Sequence, residues 1–363
     1  MAGFGSDKEN MDIAIIGAGI GGAATAVALQ QAGFDADVFE QASQLREVGG
    51  GIVFREPSRA LFARWGILDD LRPKLAAVNV MEIRDRSGSV LNVAPAATEP
   101  GETHCAHRAD VHNALISKLS PARLHLGHRL VSVENGFDFA EATFENGRRI
   151  RAQLIVGADG LRSIVRTLLD ATPMTFLKQV TNRTIAPASL LPADIPNDRI
   201  RIWQDGMRRL ISLPIRNRTE ITLNFAFGAE EPPDKMWYSM SAGALLPFYT
   251  DFEPVVTRLL EGRIAPITSH ALHDKEPITQ WADRHIVLLG DAAHPMSPMN
   301  GQGANQAIQD AGALAGALSG RYPDDLTSAL EDYQSVRAPA TARIQMLSRK
   351  PPPSLVREAP AEK

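Results

Sequence analysis

Residues 17–22 read Gly-Ala-Gly-Ile-Gly-Gly and match the spacing G-x-G-x-x-G. In such a loop the first glycine permits a tight turn, the second lets a pyrophosphate approach the backbone, and the third allows close helix–strand packing. The helix that follows offers free N–H groups and a partial positive charge to phosphates. Glu40 lies eighteen residues beyond Gly22, where a carboxylate can accept hydrogen bonds from a ribose. The motif predicts a dinucleotide site but does not distinguish NAD from FAD.

Two later segments carry further glycines next to charged or polar residues. Residues 155–160 read Ile-Val-Gly-Ala-Asp-Gly, followed by Ser163 and Arg166. Residues 289–305 read Leu-Gly-Asp-Ala-Ala-His-Pro-Met-Ser-Pro-Met-Asn-Gly-Gln-Gly-Ala-Asn. Together with the glycine loop, these segments resemble the group A flavoprotein monooxygenases, the aromatic-ring hydroxylases of the p-hydroxybenzoate and salicylate hydroxylase type. The three motifs occur in the family's order, so the resemblance covers about residues 11–345.

The resemblance implies that the three motifs together bind FAD. Gly17, Gly19 and Gly22 would hold the pyrophosphate, Glu40 the adenosine ribose, and Asp291 the ribityl chain. The cofactor-binding residues predicted in this way are Gly17, Gly19, Ile20, Gly21, Gly22, Glu40, Gln41, Arg46, Gly51, Arg108, Val131, Asp159, Asp291, Pro298, Gly301, Gly303, Ala304 and Asn305.

Several of these residues have specific roles by resemblance. Arg108 matches the family arginine that contacts FAD, Val131 the position beside the adenine, and Asp159 a motif associated with both FAD and NAD(P)H. Pro298 would lie over the isoalloxazine, and residues 301–305 along its pyrimidine edge. The physical chemistry agrees, because a helix that begins near this edge would place its partial positive end beside a flavin that becomes anionic on reduction.

One loop departs from the family pattern. Residues 49–54 read Gly-Gly-Gly-Ile-Val-Phe and continue as Arg55-Glu56-Pro57, where the family often has a Pro-Asn pair. Because this loop often lies near the substrate and the flavin, the substrate is not defined by the sequence. Arg46 precedes the loop and would reach phosphates of FAD or of a nicotinamide dinucleotide; a solvated surface arginine is the alternative interpretation.

The resemblance implies an FAD-dependent monooxygenase that hydroxylates an aromatic or heteroaromatic substrate through a C4a-hydroperoxyflavin, with NADH or NADPH and O₂ as co-substrates. The partners are then a small aromatic substrate, O₂ and NAD(P)H. The residue that activates the substrate is not identified; the catalytic candidates are Pro298, Arg201 and His273. Two alternatives stay open: a flavin-dependent reductase or oxidase on the same fold without oxygen insertion, and a non-catalytic FAD or NAD binding module.

The surrounding pattern predicts the elements that position these motifs. An apolar strand at residues 13–16, a helix over Ile20–Gln31 and a strand over Asp37–Glu40 form a βαβ unit. Further buried strands are predicted at residues 154–156 and 285–289, and helices at residues 304–318 and 326–347. The fold class is therefore α/β, with a Rossmann-type FAD-binding domain and a β-sheet-rich substrate domain.

The segments divide between these two domains. Residues 11–75, 99–172 and 278–348 are predicted to form a discontinuous FAD-binding domain, and residues 76–98 and 173–277 the substrate domain. Residues 1–10 and 350–363 are predicted to be disordered tails. In the substrate domain, residues 199–213 predict a hairpin with Arg201 and Trp203 on one face, where a positive charge would suit an anionic aromatic acid; a solvated sheet face is the alternative.

Composition excludes other classes of function. The 363 residues carry a formal net charge of −4, which does not suit a nucleic-acid binder. No apolar run is long enough to span a bilayer, and no histidine or cysteine spacing predicts a metal site. A single cysteine, Cys105, excludes an internal disulfide and fits a reducing compartment, so a cytoplasmic location is predicted. The oligomeric state is not predicted.

Overall fold

The computed structural model describes residues 9–45, 50–97, 101–262, 264–298 and 301–349. These residues fall into two compact units. The first comprises residues 9–45, 112–173 and 275–349, and the second comprises the described residues between 50 and 111 and between 174 and 274. Among all of them, no helix is both long and apolar enough to cross a membrane.

The strands, in chain order, are β1 (Glu9–Ile16), β2 (Ala36–Glu40), β3 (Gly51–Phe54), β4 (Ala76–Val78), β5 (Val80–Asp85), β6 (Val90–Pro95), β7 (Thr103–His107), β8 (Leu124–Leu126), β9 (Leu130–Asn135), β10 (Ala140–Phe144), β11 (Arg149–Gly157), β12 (Thr175–Pro187), β13 (Ile200–Asp205), β14 (Arg208–Ile215), β15 (Glu220–Gly228), β16 (Trp237–Met240), β17 (Ile267–Asp274), β18 (Ala282–Asp283) and β19 (Ile286–Leu288). The helices are α1 (Ile20–Gln31), α2 (Glu56–Arg64), α3 (Leu68–Leu71), α4 (Arg108–Ile116), α5 (Ala242–Leu245), α6 (Pro254–Glu261), α7 (Gly303–Leu318) and α8 (Leu326–Ser348).

The first unit is built on a sheet with the strand order β18-β19-β11-β1-β2-β8, to which β10 and β9 are added beside β11. Strands β19, β11, β1, β2 and β8 run parallel, and α1 connects β1 to β2. This is the predicted Rossmann-type arrangement, and α1 has the predicted bounds. The helix ends there because Gly33 follows with a φ of +88°, a conformation that glycine adopts at little cost.

One local prediction in these elements was wrong. Glu9 and Asn10 do not belong to a disordered leader, because β1 extends through them and pairs with Ile150 and Arg151 of the long strand β11.

The second unit contains an eight-stranded sheet with the order β16-β17-β12-β15-β14-β13-β5-β6 and a small sheet with the order β3-β7-β4. One face of the large sheet packs against α5 and α6 through a core that includes Trp203, Phe225, Tyr249 and Leu259. The predicted hairpin of residues 199–213 is present as β13 and β14, which turn at Gly206 (φ +56°).

The small sheet packs on the other face of the large sheet. Cys105 of β7 shares a core with Leu213 and Ile215 of β14, and burial raises the pKa of its thiol to about 12. A Cβ on Gly51 of β3 would lie 2.3 Å from Thr222 Cγ2. These contacts place the described residues between 50 and 75 and between 101 and 111 in the second unit, although the sequence assigns them to the FAD-binding domain.

A buried ion cluster joins β5 to β13 in this unit. Glu82 accepts hydrogen bonds from Arg84 (2.7 Å), Arg199 (3.0 Å) and Arg201 (2.8 Å). Burial alone would raise the pKa of the Glu82 carboxyl, but the hydrogen bonds from Arg201 and Arg84 lower it to about 2. Arg201 is 2 % exposed, and its charge is matched by this carboxylate. The arginine that the sequence assigns to an anionic substrate therefore has a structural partner.

We expect Glu82→Gln to destabilise the protein by about 3 kcal/mol at pH 7, because a carboxyl whose pKa falls from 4.5 to about 2 on folding stabilises the folded state by about that amount. Because the folded-state pKa of Glu82 is depressed, its contribution is present above pH 4.5 and is lost as the pH falls from 4.5 towards 2. Urea unfolding at several pH values tests this, with the exposed Glu231→Gln as the control. A difference between wild type and Glu82→Gln that does not shrink at acid pH would contradict the assignment.

Candidate functional site

The predicted motifs of the first unit meet at one edge of its sheet. Glu40 ends β2, Gly17 follows β1, Asp159 follows β11 and Asp291 follows β19. These four strands are neighbours and run parallel, with Ile16 beside both Phe39 and Gly157. Because the carboxyl ends of parallel strands share an edge, loops from the start, middle and end of the chain converge there, as ligand-binding loops do in open α/β sheets.

The glycines of the first loop have separate structural roles. Gly17 has a φ of +102°, and a Cβ there would lie 2.5 Å from the Ala158 carbonyl oxygen. A Cβ on Gly22 would lie 1.9 Å from the Gly17 carbonyl oxygen, so the loop closes on α1 only if residue 22 lacks a side chain. Gly19 differs, because a Cβ there would meet no protein atom within 4 Å. The structure therefore leaves open space at Gly19, directly at the N-terminus of α1.

The two other predicted residues of this loop lie against the protein interior. Ile20 is 4 % exposed, so its side chain is not accessible to a ligand. A Cβ on Gly21 would lie 3.0 Å from Leu289 Cδ1 and 3.4 Å from Ala307 Cβ, and this close approach packs α1 against α7. Both positions are thus explained by helix packing, and their predicted contacts with a cofactor stay predictions.

Glu40 fixes the glycine loop from the end of β2. Its carboxylate accepts hydrogen bonds from the N–H of Ala18 and from the N–H of Ala42, both at 2.8 Å. Carboxylate oxygens have further lone pairs for a ribose. Gln41 and Val131 are both exposed, which is compatible with their predicted place near the adenosine end.

Asp159 and Arg166 organise the middle motif. Asp159 Oδ2 accepts from the N–H groups of Ile164 (2.7 Å) and Val165 (3.3 Å), while Oδ1 is buried without a hydrogen-bond partner among the described residues. Burial raises the pKa of this carboxyl. Arg166 is fully buried and donates to the carbonyl oxygens of Ala292 (3.2 Å) and Ala293 (2.9 Å). The middle motif therefore holds the third motif by its backbone.

The turn of residues 290–294 presents one side chain outwards. Gly290, Ala292, Ala293 and His294 are buried, whereas Asp291 is exposed. Behind the turn, fully buried Asp310 of α7 accepts hydrogen bonds from the Gly290 N–H (3.0 Å) and from His294 Nε2 (2.6 Å). Buried Asp310 thus fixes the turn, while the Asp291 carboxylate remains accessible to a ligand.

Asp310 has a cationic partner on α8. Arg337 Nε of α8 donates to Asp310 Oδ1 at 2.7 Å, and Arg337 Nη2 donates to Gln306 Oε1 at 2.7 Å. Burial alone would raise the pKa of the Asp310 carboxyl, but His294 and Arg337 together hold it below its usual range. We name these three residues (His294, Asp310 and Arg337) the buried triad.

The rest of the third motif leads into α7. The N–H of Gly301 donates to the Pro298 carbonyl oxygen at 3.0 Å, and Gly301 has a φ of +59°. The helix begins at Gly303, where Ala304 follows, and Asn305 Nδ2 donates back to the Gly301 carbonyl oxygen at 3.1 Å. A helix start at this loop confirms the predicted element.

The remaining predicted residues lie elsewhere. Gly51 and Arg108 belong to the second unit, where Arg108 begins α4 and its N–H donates to the Gly50 carbonyl oxygen at 2.9 Å. Arg46 lies outside the described residues. His273 is half-buried, with Nδ1 2.9 Å from the Ala271 carbonyl oxygen and its ring 5.3 Å from that of Phe176. The cofactor contacts and the catalytic roles of these residues stay predictions.

The second unit carries a set of polar side chains on one face of its large sheet. The strand register aligns Trp237, His270, Thr181, Ala226 and Arg209 in one row across five strands. This face is opposite the apolar core that packs on α5 and α6. The residues of the polar face are Gln179, Thr181, Arg183, Arg209, Thr222, Asn224 and His270; four of them, Gln179, Thr181, Arg209 and Thr222, are each less than 8 % exposed.

Three features of the first unit fit FAD. Open space at Gly19 admits a pyrophosphate at a helix N-terminus, which favours anions. The exposed Asp291 suits a polyhydroxyl chain, and the unpartnered Asp159 Oδ1 is a buried acceptor at the same sheet edge. In the described part of the chain, no group of three or more His, Cys, Asp and Glu side chains is placed to hold a metal ion.

Sequence reasoning missed two kinds of residue that support this site. The charged partners Asp310 and Arg337 lie on Ala-rich or mixed helices, where a charge is ordinarily solvated. His112 of α4 is 3 % exposed, and its Nε2 lies 2.6 Å from the Ala18 carbonyl oxygen. The only sequence feature that could identify these residues is a charged or polar side chain on the buried face of its helix. Which helix face is buried is known only from the tertiary fold.

Comparison with known proteins identifies an FAD-binding domain in this chain and relatives that match it over most of its length. A family model described as "FAD binding domain" matches residues 10–348. A 3-amino-4-hydroxybenzoate 2-monooxygenase of Streptomyces cremeus is 31% identical over 353 residues, which cover 94% of this chain and 87% of that protein. A 6-hydroxynicotinate 3-monooxygenase of Bordetella bronchiseptica is 30% identical over 347 residues, which cover 93% and 90%.

Solved structures share the fold. Klebsiella pneumoniae HpxO, in complex with FAD and uric acid, superposes with a TM-score of 0.82 at 23% identity and 93% coverage of this chain and 87% of that one. A salicylate hydroxylase substrate complex gives a TM-score of 0.78 at 22% identity, with 94% and 87% covered. The fold and the dinucleotide edge define a flavoprotein of the Rossmann type. This chain belongs to the family of the FAD binding domain, and it binds FAD.

Proposed function

We propose that this flavoprotein is a monooxygenase that hydroxylates a small aromatic or heteroaromatic acid. The observation that carries the proposal is the similarity over nine-tenths of the chain to relatives named as aminohydroxybenzoate and hydroxynicotinate monooxygenases. Both names describe an aromatic ring that bears a carboxylate and an electron-donating hydroxyl or amino group. A ring of this kind is the substrate class that we propose here.

The polar face of the second unit supports an acidic substrate. Polar groups on a sheet face can fix the orientation of a polar ligand, which an apolar face cannot do. Arg209 is 7 % exposed on this face and neighbours the small side chain of Ala226. An arginine stays protonated near neutral pH and binds carboxylates with a planar pair of donors. We propose that Arg209 binds the substrate carboxylate.

The protein's own groups would then bind and orient rather than carry the redox chemistry. FAD, when bound, supplies that chemistry with electrons from NADH or NADPH and oxygen from O₂. Thr181 donates a hydrogen bond to Asn224 Oδ1 on the polar face, which fixes the orientation of that amide for a substrate hydroxyl or amine. The nicotinamide co-substrate and a cytoplasmic location are part of the proposal.

The test is turnover by the purified, FAD-loaded protein with a panel of hydroxylated or aminated benzoates and pyridine carboxylates. We expect one of them to accelerate NADH or NADPH oxidation and to yield a product that carries one oxygen atom from ¹⁸O₂. The same compound without its carboxylate should bind more weakly. Arg209→Met should raise KM for the acid about 10- to 100-fold and leave the carboxylate-free analogue unaffected.

The outcomes separate the alternatives. Turnover of the acid without ¹⁸O in the product would identify a reductase or oxidase instead. Bound FAD without acceleration by any aromatic compound would contradict the monooxygenase proposal. Equal KM values for the acid in wild type and Arg209→Met would show that Arg209 does not bind the carboxylate, while oxygen insertion into the acid would still support the reaction itself.

A further inference from the structure

His112 makes a buried hydrogen bond to the glycine loop. It lies on α4, and its Nε2 is 2.6 Å from the carbonyl oxygen of Ala18, the residue between Gly17 and Gly19. A carbonyl oxygen only accepts, so Nε2 carries the hydrogen in this contact. His112 is 3 % exposed and Ala18 is 2 % exposed, which means that water does not compete for the bond.

The Ala18 residue is therefore held on both sides by side chains. Its N–H donates to Glu40 Oε2 at 2.8 Å, and its carbonyl accepts from His112. The Gly17 N–H is also fixed, since it donates to the Phe39 carbonyl oxygen at 2.8 Å. Two of these bonds come from the end of β2 and the third comes from α4. The backbone conformation of the loop is thus set by these contacts.

The bond from His112 determines where the next amide points. The peptide unit that contains the Ala18 carbonyl also contains the Gly19 N–H, and in a trans peptide these two groups point in opposite directions. Holding the carbonyl against His112 directs the Gly19 N–H away from α4. Gly19 is the position at which a side chain would meet open space.

We propose that His112 is a positioning residue for the cofactor, which aims the Gly19 N–H at the FAD pyrophosphate through the Ala18 carbonyl. The inference rests on FAD binding, and it does not depend on the proposed hydroxylation. It also explains why a polar ring is buried on a helix whose other inward residues include Val111 and Leu115, both fully buried.

The test compares FAD affinity of the apoprotein in matched variants. His112→Leu removes the donor and leaves a buried carbonyl unsatisfied, so we expect FAD to bind about 10- to 100-fold more weakly. His112→Gln keeps an N–H donor of similar reach and should restore most of the affinity. Asn113→Leu, which changes the neighbouring exposed residue of α4, is the control and should bind FAD as the wild type does.

A spectroscopic measurement separates positioning from packing. In protein saturated with FAD, the ³¹P resonances of the pyrophosphate should shift in His112→Leu and stay at their wild-type positions in His112→Gln and Asn113→Leu. If His112→Leu does not fold, His112→Asn replaces it, because its shorter amide does not reach Ala18. Unchanged resonances in His112→Leu and His112→Asn, or equal losses of affinity in the Leu and Gln variants, would overturn the proposal. Neither readout requires an aromatic substrate, so a failed hydroxylation assay leaves this test intact.

Discussion

Gly19→Ala is expected to leave the apoprotein folded and to weaken FAD binding about 100-fold or more. Gly19 has φ −64° and ψ −177°, an extended conformation that alanine adopts without strain. An added methyl group would meet no protein atom within 4 Å, so it costs the apoprotein little. It would instead occupy the space through which a pyrophosphate reaches the N-terminus of α1. FAD titration of the apoprotein and its thermal unfolding measure the two effects separately.

Gly22→Ala is the matched comparison for Gly19→Ala, and we expect it to reduce the stability of the apoprotein itself. A Cβ there would lie 1.9 Å from the backbone oxygen of Gly17, which has no flexible end to move aside. We expect the apoprotein to lose about 3 kcal/mol or more of its unfolding free energy. Gly316→Ala in α7 is the control, because its Cβ meets nothing within 4 Å and alanine favours a helix by about 1 kcal/mol. Wild-type FAD affinity in Gly19→Ala would show that the pyrophosphate does not lie at this glycine.

The parts of the site that were predictable from sequence depend on local chemistry. A β-strand, a glycine turn and a helix occupy consecutive residues, so the hydrophobic pattern and the glycine spacing together define them. The predicted bounds of α1 are those observed, and β2 differs by a single residue. Likewise, the start of α7 at Gly303 follows from a glycine-rich loop that precedes an Ala-rich segment.

The supports of the site were not predictable because their partners are distant in sequence. Arg201 pairs with Glu82, which is 119 residues away on a strand that only the fold makes its neighbour. For that reason the alternation of β13 correctly predicted that Arg201 and Trp203 share a face, but it did not reveal that this face belongs to the core or that Glu82 is the partner of Arg201. His112 and Ala18 are 94 residues apart, and no spacing rule connects a helix to a glycine loop at that distance. The sequence therefore predicts the local strands, glycine turns and helices of the site better than the distant residues that hold them in place.

Removal of the Asp310 charge, at the centre of the buried triad, should strongly reduce both the stability of the protein and its affinity for FAD. Asp310→Asn would leave Arg337 without an anion in a region where Asp310 itself is fully buried. An uncompensated buried charge costs about 3–5 kcal/mol, so we expect a loss of this size in unfolding free energy. FAD affinity should fall as well, because Asp310 accepts hydrogen bonds from the Gly290 N–H and from His294 Nε2, and these bonds fix the turn that presents Asp291.

A double variant distinguishes the charge from the packing. Asp310→Asn with Arg337→Met removes both charges, and replacing a buried ion pair by groups of similar volume is often nearly neutral. We therefore expect the double variant to be more stable than Asp310→Asn alone, as measured by urea unfolding of the apoprotein. If the effects of the two single substitutions simply add, the residues are not coupled. Coupling would instead mean that α7 and α8 stabilise the fold jointly through this ion pair, which lies directly behind the turn that carries Asp291.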